Sequence, residues 1–295
     1  MVDEDEQRNR WARTHKARRA RKKERKRVRA HGPFPASAKA SSSRAPGVGK
    51  FRADLERFLH PKEPVALARF HDGECHMLQG EPYNARSGWR LYRPSWMQDR
   101  LVASLEADME GYWVGISPPC DWPEGTAVFR PHVATVRRMT FATIFWHSNY
   151  APFMAAIKGG SLKDACIVTS GKGDYKVPKN GAVEPWDLDG LVDELLQEQR
   201  TILVAAGPCA CVIVHEYWKR ADPQKRQTIL DVGAAIDPIV HGRNTRDFHD
   251  PSSPLRQHVC SFQTSVPWAK KKAKKPKGWR GYLARKGPNH KPEKS

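Results

Sequence analysis

The chain has 295 residues, with 51 Lys and Arg against 32 Asp and Glu, a formal net charge of +19. That length can bury a sizeable core, and six cysteines are too few for a disulfide scaffold to replace one. No stretch has the length and apolar character of a membrane span, and the N-terminus lacks a signal-peptide apolar run. A reduced, cytoplasmic setting is therefore expected.

Residues 1–48 hold 15 basic and 5 acidic residues, and 263–295 hold 11 and 1, which leaves 25 and 26 for 49–262. The excess charge thus belongs to two tails around a nearly neutral middle. Residues 32–49 are rich in Gly, Pro, Ser and Ala, with too few large apolar groups to offset ordering entropy, so the N-terminal tail is expected to be disordered. Arg8 to Ala30 has no Pro or Gly and can turn helical once its charges are neutralised.

A globular α/β domain is expected over 49–262. Phe51, Leu55, Phe58 and Leu59 predict a short amphipathic helix ending before Pro61. Residues 64–70 read as a buried strand, followed by an Asp72-Gly73-Glu74 turn and a brief helix from Glu74 to Leu78. An aromatic- and Arg-rich loop over Gly80–Pro94 leads to a helix from Trp96 to Met109, and Tyr112–Ile116 is a second strand. Proline near its start suggests a helix over Pro131–Met139; Thr140–Trp146 fits either type.

Cys166–Thr169 predicts a strand running into Ser170-Gly171-Lys172-Gly173, and Leu188–Gln199 a helix capped by Asp187. Thr201–Ala206 is the clearest strand, followed by a helix over Pro208–Arg220 and a strand over Thr228–Val232. Strands alternating with helices imply a Rossmann-like, doubly wound, mostly parallel sheet. Residues 263–295 form a second basic tail, expected to be disordered.

Asp72 and Glu74, one residue apart at the end of a strand, can present hard oxygen ligands to one metal ion, at the sheet edge where open α/β folds bind ligands. A plain turn is the bland alternative. Strand 201–206 runs into Gly207-Pro208 and a helix, whose free N-terminal amides would cradle phosphate. A cation and an anion-binding helix end in one sheet are two requirements for holding a nucleoside diphosphate.

These segments, Ala68-Arg69-Phe70-His71-Asp72-Gly73-Glu74, Leu203–Pro208 and Ile229-Leu230-Asp231-Val232-Gly233, resemble the GT-D glycosyltransferase family in order and approximate spacing, over about residues 50–250. That family shows an Arg-Phe-Gly-Asp-Gly-Glu-like segment, an apolar strand ending in Gly-Pro and a later Asp-Ile-Gly-His segment. This chain departs from it twice: His71 stands where glycine is usual, and Ala234 where the histidine is expected.

The resemblance implies a nucleotide-sugar donor, a UDP-sugar, with Asp72 and Glu74 holding Mn²⁺ or Mg²⁺ at the departing diphosphate. Arg69, Phe70, Gly73, Gly207, Pro208 and Lys172 would line the donor site, and Asp237, Asp231 or His147 would serve as general base. Asp231 reads equally as a turn or ribose-binding residue, Asp237 as a turn former before Pro238, and His147 as a core histidine. Cys209 and Cys211, two apart on a helix, point to different faces and read as core thiols. Lys172 lacks the spacing of a P-loop.

The basic clusters Arg18, Arg19, Arg21, Lys22, Lys23 and Lys270, Lys271, Lys272 suit a polyanion, because each phosphate contact releases a counterion. Trp11, Trp279 and Tyr282 among them can stack on bases. The expected activity is sugar transfer to nucleic acid, at a hydroxylated base. Transfer to protein or a surface glycan, a metal-dependent nuclease and a non-catalytic nucleic-acid-binding protein are the alternatives.

Overall fold

Seven strands form one all-parallel sheet in the computed structural model, which describes residues 48–78, 83–84, 90–91, 95–119, 121–177, 180–181 and 185–260. Both basic clusters of the tails lie outside the described residues, as do Trp11, Trp279 and Tyr282. Helix α1 (Val48–Leu59) precedes strand β1 (Ala66–Phe70), and helix α2 (Asp72–Leu78) follows it directly. The two-residue strands β2 (Tyr83–Asn84) and β3 (Arg90–Leu91) come next, then α3 (Ser95–Leu105), β4 (Tyr112–Ile116), α4 (Pro123–Phe129) and β5 (Met139–Phe141). The second half runs α5 (Tyr150–Gly159), β6 (Cys166–Thr169), β7 (Tyr175–Lys176), β8 (Asn180–Gly181), α6 (Pro185–Leu195), β9 (Ile202–Ala205), α7 (Cys209–Arg220), β10 (Ile229–Asp231) and α8 (Asp237–Val240).

The strand order is β5-β4-β1-β10-β9-β6-β7, while β2, β3 and β8 make a separate small sheet. β1 pairs with β4 from Ala66 opposite Tyr112 to Phe70 opposite Ile116, and with β10 from Ala66 opposite Ile229. Near-continuous apolar strands such as Ile202-Leu203-Val204-Ala205 require cover on both faces, which is the rule for parallel sheets. On one face Ala66, Ala68, Phe70, Val204 and Ile229 pack with residues of α2, α3, α6 and α7. On the other, Leu67, Leu203 and Leu230 pack with α1 and α5.

The spacing of Phe51, Leu55, Phe58 and Leu59 puts all four on one stripe of α1. All four are buried, with Phe51 edge-on to Phe141 at 5.5 Å and Phe58 edge-on to Trp113 at 5.7 Å. Burying each such side chain contributes about 1.5–3 kcal/mol. α7 buries nine of its twelve residues, Cys209 and Cys211 included, and forms the middle of its layer.

Three expectations change. The Pro131–Met139 segment is not an α-helix: it makes 3₁₀ turns at Arg130–His132 and Val136–Arg138 and then enters β5. Helices α4 and α5 stand where none was expected. The Asp72-Gly73-Glu74 turn is the first turn of α2. Among the described residues no helix is long and apolar enough to cross a membrane.

Candidate functional site

The helical start at Asp72 decides the fate of the predicted metal pair. Residues two apart on a helix point about 200° apart. Asp72 accordingly faces solvent with its side chain 71% exposed, whereas Glu74 is turned inward at 7%. The His71 amide donates to Glu74 Oε2 at 2.8 Å, the backward half of a capping box. Burial pushes the Glu74 carboxyl up to about 7, and the charge of Asp231 adds to the effect. Asp72 Oδ1 accepts from the Gly73 amide at 2.9 Å and lies 3.2 Å from His71 Nδ1; the His71 hydrogen bond holds its carboxyl at about 2. The two acids therefore do not converge on one ion. Among the described residues no group of three His, Cys, Asp or Glu is placed to hold a metal.

An outer tier instead assembles around His71. Its Nε2 lies 2.7 Å from Asp121 Oδ2, so its two ring nitrogens each face a carboxylate. A carboxylate oxygen only accepts, so both nitrogens must carry protons and the ring is a cation. Burial opposes that charge, but the bonds to Asp121 and Asp72 outweigh it and bring the imidazole to about 9. Trp122 and Trp146 flank the ring, with centroids at 5.7 and 5.5 Å. Half-buried Arg246, from the segment after α8, adds positive charge that helps hold Asp72 ionised.

Beneath lies an inner tier built on Arg69, only 6% exposed. Its Nη1 donates to the Ala142 carbonyl at 2.6 Å, its Nη2 to Asp231 Oδ1 at 3.3 Å, and its backbone amide to Asp231 Oδ2 at 3.2 Å. The guanidinium thus ties the ends of β5, β1 and β10 together. Gly233, in left-handed backbone at φ 46°, leaves it room: a Cβ there would sit 2.2 Å from Arg69 Nη2. Arg69 therefore acts as a lock within the sheet edge, with only its Nε left unbonded. Asp231 is its buried partner rather than an open general base, and burial raises its carboxyl despite the guanidinium. Phe70 is fully buried against Phe129 at 5.7 Å, and Gly73 is buried within α2; neither lines an open donor site.

The remaining candidates separate. Asp237, buried at the start of α8, accepts from Thr245 Oγ1 and lies 3.9 Å from His241 Nε2, which fixes the loop after α8 rather than offering an open base. Gly207 is left-handed at φ 53° and partly exposed, but Pro208, Cys209 and Ala210 behind it are buried. The phosphate cradle expected there is open only at Gly207. Lys172 is exposed at the C-terminal end of β6, its amide donating to the Val240 carbonyl at 3.0 Å. Cys211 Sγ donates to the Arg69 carbonyl at 3.1 Å, as a core thiol.

His147 is buried at 5%, and its ring nitrogens make no well-aligned hydrogen bond, with the Leu255 backbone the polar group that favours its protonated form. Burial and then the charge of His258 lower its imidazole to about 4. Where the histidine expected after Gly233 is missing, His249 arrives from downstream and donates from Nε2 to the Ala234 carbonyl at 2.9 Å. Its Nδ1 accepts from the Thr245 and Arg246 amides, so both nitrogens are spent on backbone. Sequence reading missed Asp121, Arg246 and His249, which carry no local motif; His71 was visible only as a departure from glycine.

No protein-family model matches the chain, and no curated protein does. Two solved structures are similar to it, each 14% identical and matched over 75% of this chain and 91% of their own. One, at a TM-score of 0.43, is described as a domain of unknown function 1792 with a distinct glycosyltransferase fold. The other, at 0.42, is the selenomethionine-substituted structure of that domain.

Proposed function

We propose that this chain is a glycosyltransferase that moves a sugar from a nucleotide-sugar donor, a UDP-sugar, to an acceptor hydroxyl. The observation that carries this reading is the His71 cation, gripped by Asp72 and Asp121 and walled by Trp122 and Trp146, with Arg246 close by. It stands at the C-terminal edge of a parallel sheet, beside the junction of β1 and β10, where open α/β folds place their ligands.

In the reaction, the bond from the anomeric carbon to the diphosphate breaks, and negative charge grows on the leaving phosphate. Fixed cations that meet this charge stabilise the transition state more than the ground state. Arg246 is the chain's own group for that task, and the indoles offer apolar faces to the sugar or the base. His71, with both N–H groups bonded to Asp72 and Asp121, holds those two acids and its own ring in place beside the indoles. The residues of the motif do not fit the Mn²⁺ or Mg²⁺ expected there, since Glu74 is turned inward and Asp72 is bonded to the His71 ring, so no step of the reaction is placed on a metal.

The acceptor in this reading is nucleic acid carrying a hydroxylated base, because the tails concentrate Arg18, Arg19, Arg21, Lys22, Lys23, Lys270, Lys271 and Lys272 around a neutral domain. A base within a duplex would have to be flipped out to be attacked.

The test is hydrolysis of a panel of UDP-sugars by the full chain, with and without Mn²⁺, followed by transfer to hydroxymethylated DNA. Donor turnover that falls in Asp72→Ala supports the reading; a chain that neither binds UDP nor turns over any UDP-sugar overturns it. Transfer to DNA that survives replacing Lys270, Lys271 and Lys272 by Gln at moderate salt removes that cluster from acceptor recruitment.

A further inference from the structure

The turn after β5 holds a run of buried polar atoms without a well-formed hydrogen bond. Trp146 Nε1, both ring nitrogens of His147 and Ser148 Oγ are four such atoms on three consecutive residues, with the Leu255 backbone beside the imidazole. Leaving a buried polar atom unpaired costs roughly 1–3 kcal/mol, and native structures leave few such atoms. A cluster of them therefore points to something polar that fits between.

The backbone gives an independent sign. His147 is the only non-glycine among the described residues with positive φ, at 54°. A side chain rarely adopts that conformation unless its surroundings hold it there, and such residues cluster at functional sites. The surroundings here are specific. The His147 ring stands edge-on to His258 at 5.1 Å and to Phe248 at 6.2 Å, while Phe248 stacks on Trp146 at 5.1 Å. Trp146 in turn meets His71. The His147 imidazole thus lies one aromatic ring behind His71 and the corner that faces solvent. The titratable groups that act on it are His258, Asp121 and His71, and burial keeps it neutral at neutral pH.

We propose that Trp146, His147 and Ser148 form the acceptor subsite, where His147 is the general base for the attacking hydroxyl. This rests on the glycosyltransferase reading and deepens it. As the acceptor oxygen bonds to the anomeric carbon, the carbon–diphosphate bond breaks and its electron pair leaves with the diphosphate. The hydroxyl proton passes to a ring nitrogen of His147. Trp146 Nε1–H and Ser148 Oγ bind polar atoms of the acceptor base beside the reacting hydroxyl, and the Trp146–Phe248 stack supplies an apolar face. Asp231 and Asp237, both committed to partners, are relieved of this role.

Donor hydrolysis, with water as acceptor, tests the subsite without a known natural acceptor. His147→Asn keeps a residue that tolerates positive φ, and His147→Ala opens space for added imidazole. The expected result is a kcat lowered by about 100-fold or more in both, with donor KM within about threefold. Imidazole in the buffer should restore part of the His147→Ala rate and leave wild type unchanged. Rates within a few-fold of wild type in His147→Asn, or a low His147→Ala rate that imidazole does not raise, overturn the subsite while leaving donor turnover standing. A wild-type chain without UDP binding or donor turnover fails the glycosyltransferase reading itself, and the subsite falls with it.

Discussion

The outer tier of the β1 corner and the inner tier below it share one short stretch of chain, yet they treat charge in opposite ways. Asp72, Asp121 and Arg246 keep their charges toward solvent, with His71 held between the two acids. Arg69, Asp231 and Glu74 are buried, and each charge is spent on a neighbour or a backbone group. Asp72 and Glu74, two residues apart, are separated by the geometry of one helical turn into a surface group and a core group. A motif read as a chelating pair becomes one exposed acid and one acid of the core.

The largest effect expected of any change to this contrast comes from Arg69→Ala. It strips Asp231 of its counter-charge in the interior and unties three strand ends. The expected loss is about 3–5 kcal/mol of stability, read from a urea unfolding midpoint. A loss under about 1 kcal/mol would place Arg69 outside the lock described here. Gly233→Ala should cost at least ~2 kcal/mol by the same measurement, because it adds both a left-handed side chain and a contact on the guanidinium.

Glu74→Gln probes the inner tier by pH. The folded carboxyl holds its proton up to about 7, above the ordinary 4.5, so the folded state binds the proton more tightly than the unfolded one. Its favourable contribution is complete below pH 4.5 and is lost as pH rises through 7. The amide keeps the acceptor for the His71 N–H and never ionises. The variant should therefore gain on wild type progressively from pH 4.5 to 7, by up to ~3 kcal/mol at pH 8. Equal melting-temperature differences at pH 4 and pH 8 would remove the buried acid from the account.

Asp72→Ala is the mirror experiment on the outer tier. Stability should change by no more than about 1 kcal/mol, since the side chain is exposed. Donor turnover should fall by about 100-fold as His71 loses one of its two holders. A large destabilisation with a small rate effect would exchange the roles of the two tiers. The smallest effect concerns the thiols. Burial pushes Cys209 up to about 12 and raises Cys211 further from reactivity, so neither should react with a disulfide reagent before the protein unfolds.

Much of the frame was legible in the residues. Tyr112–Ile116 and Cys166–Thr169 were read to the residue, because apolar runs bounded by Gly, Pro or polar residues leave little choice. α5 was missed because Tyr150-Ala151-Pro152-Phe153-Met154-Ala155-Ala156 is apolar all round and carries no periodic contrast. Val133, Val136 and Met139 recur every third residue, a spacing that serves a 3₁₀ turn as readily as an α-helix.

At the β1 corner the sequence singled out Asp72 and His71 but not the groups that meet them. Asp-Gly reads as a turn, and only the start of α2 at residue 72 shows that Glu74 faces inward. Asp121 and Arg246 join the corner from 49 and 174 residues downstream of Asp72, where no local pattern marks them. The burial of Arg69 and Asp231 was equally invisible, since charge in a sequence carries no sign of the tier it will occupy.

The position of β10 carries a consequence for how the molecule is made. The last strand of the sheet in chain order, β10, wedges between the first, β1, and β9, so the centre is finished by residues 229–231. A nascent chain halted on the ribosome before that point would hold β1 and β9 with open edges, and Arg69 without its acid. Assembly of the corner must wait for a contact spanning 162 residues of chain, so a stalled or truncated translation product should be caught by chaperones rather than accumulate half-active.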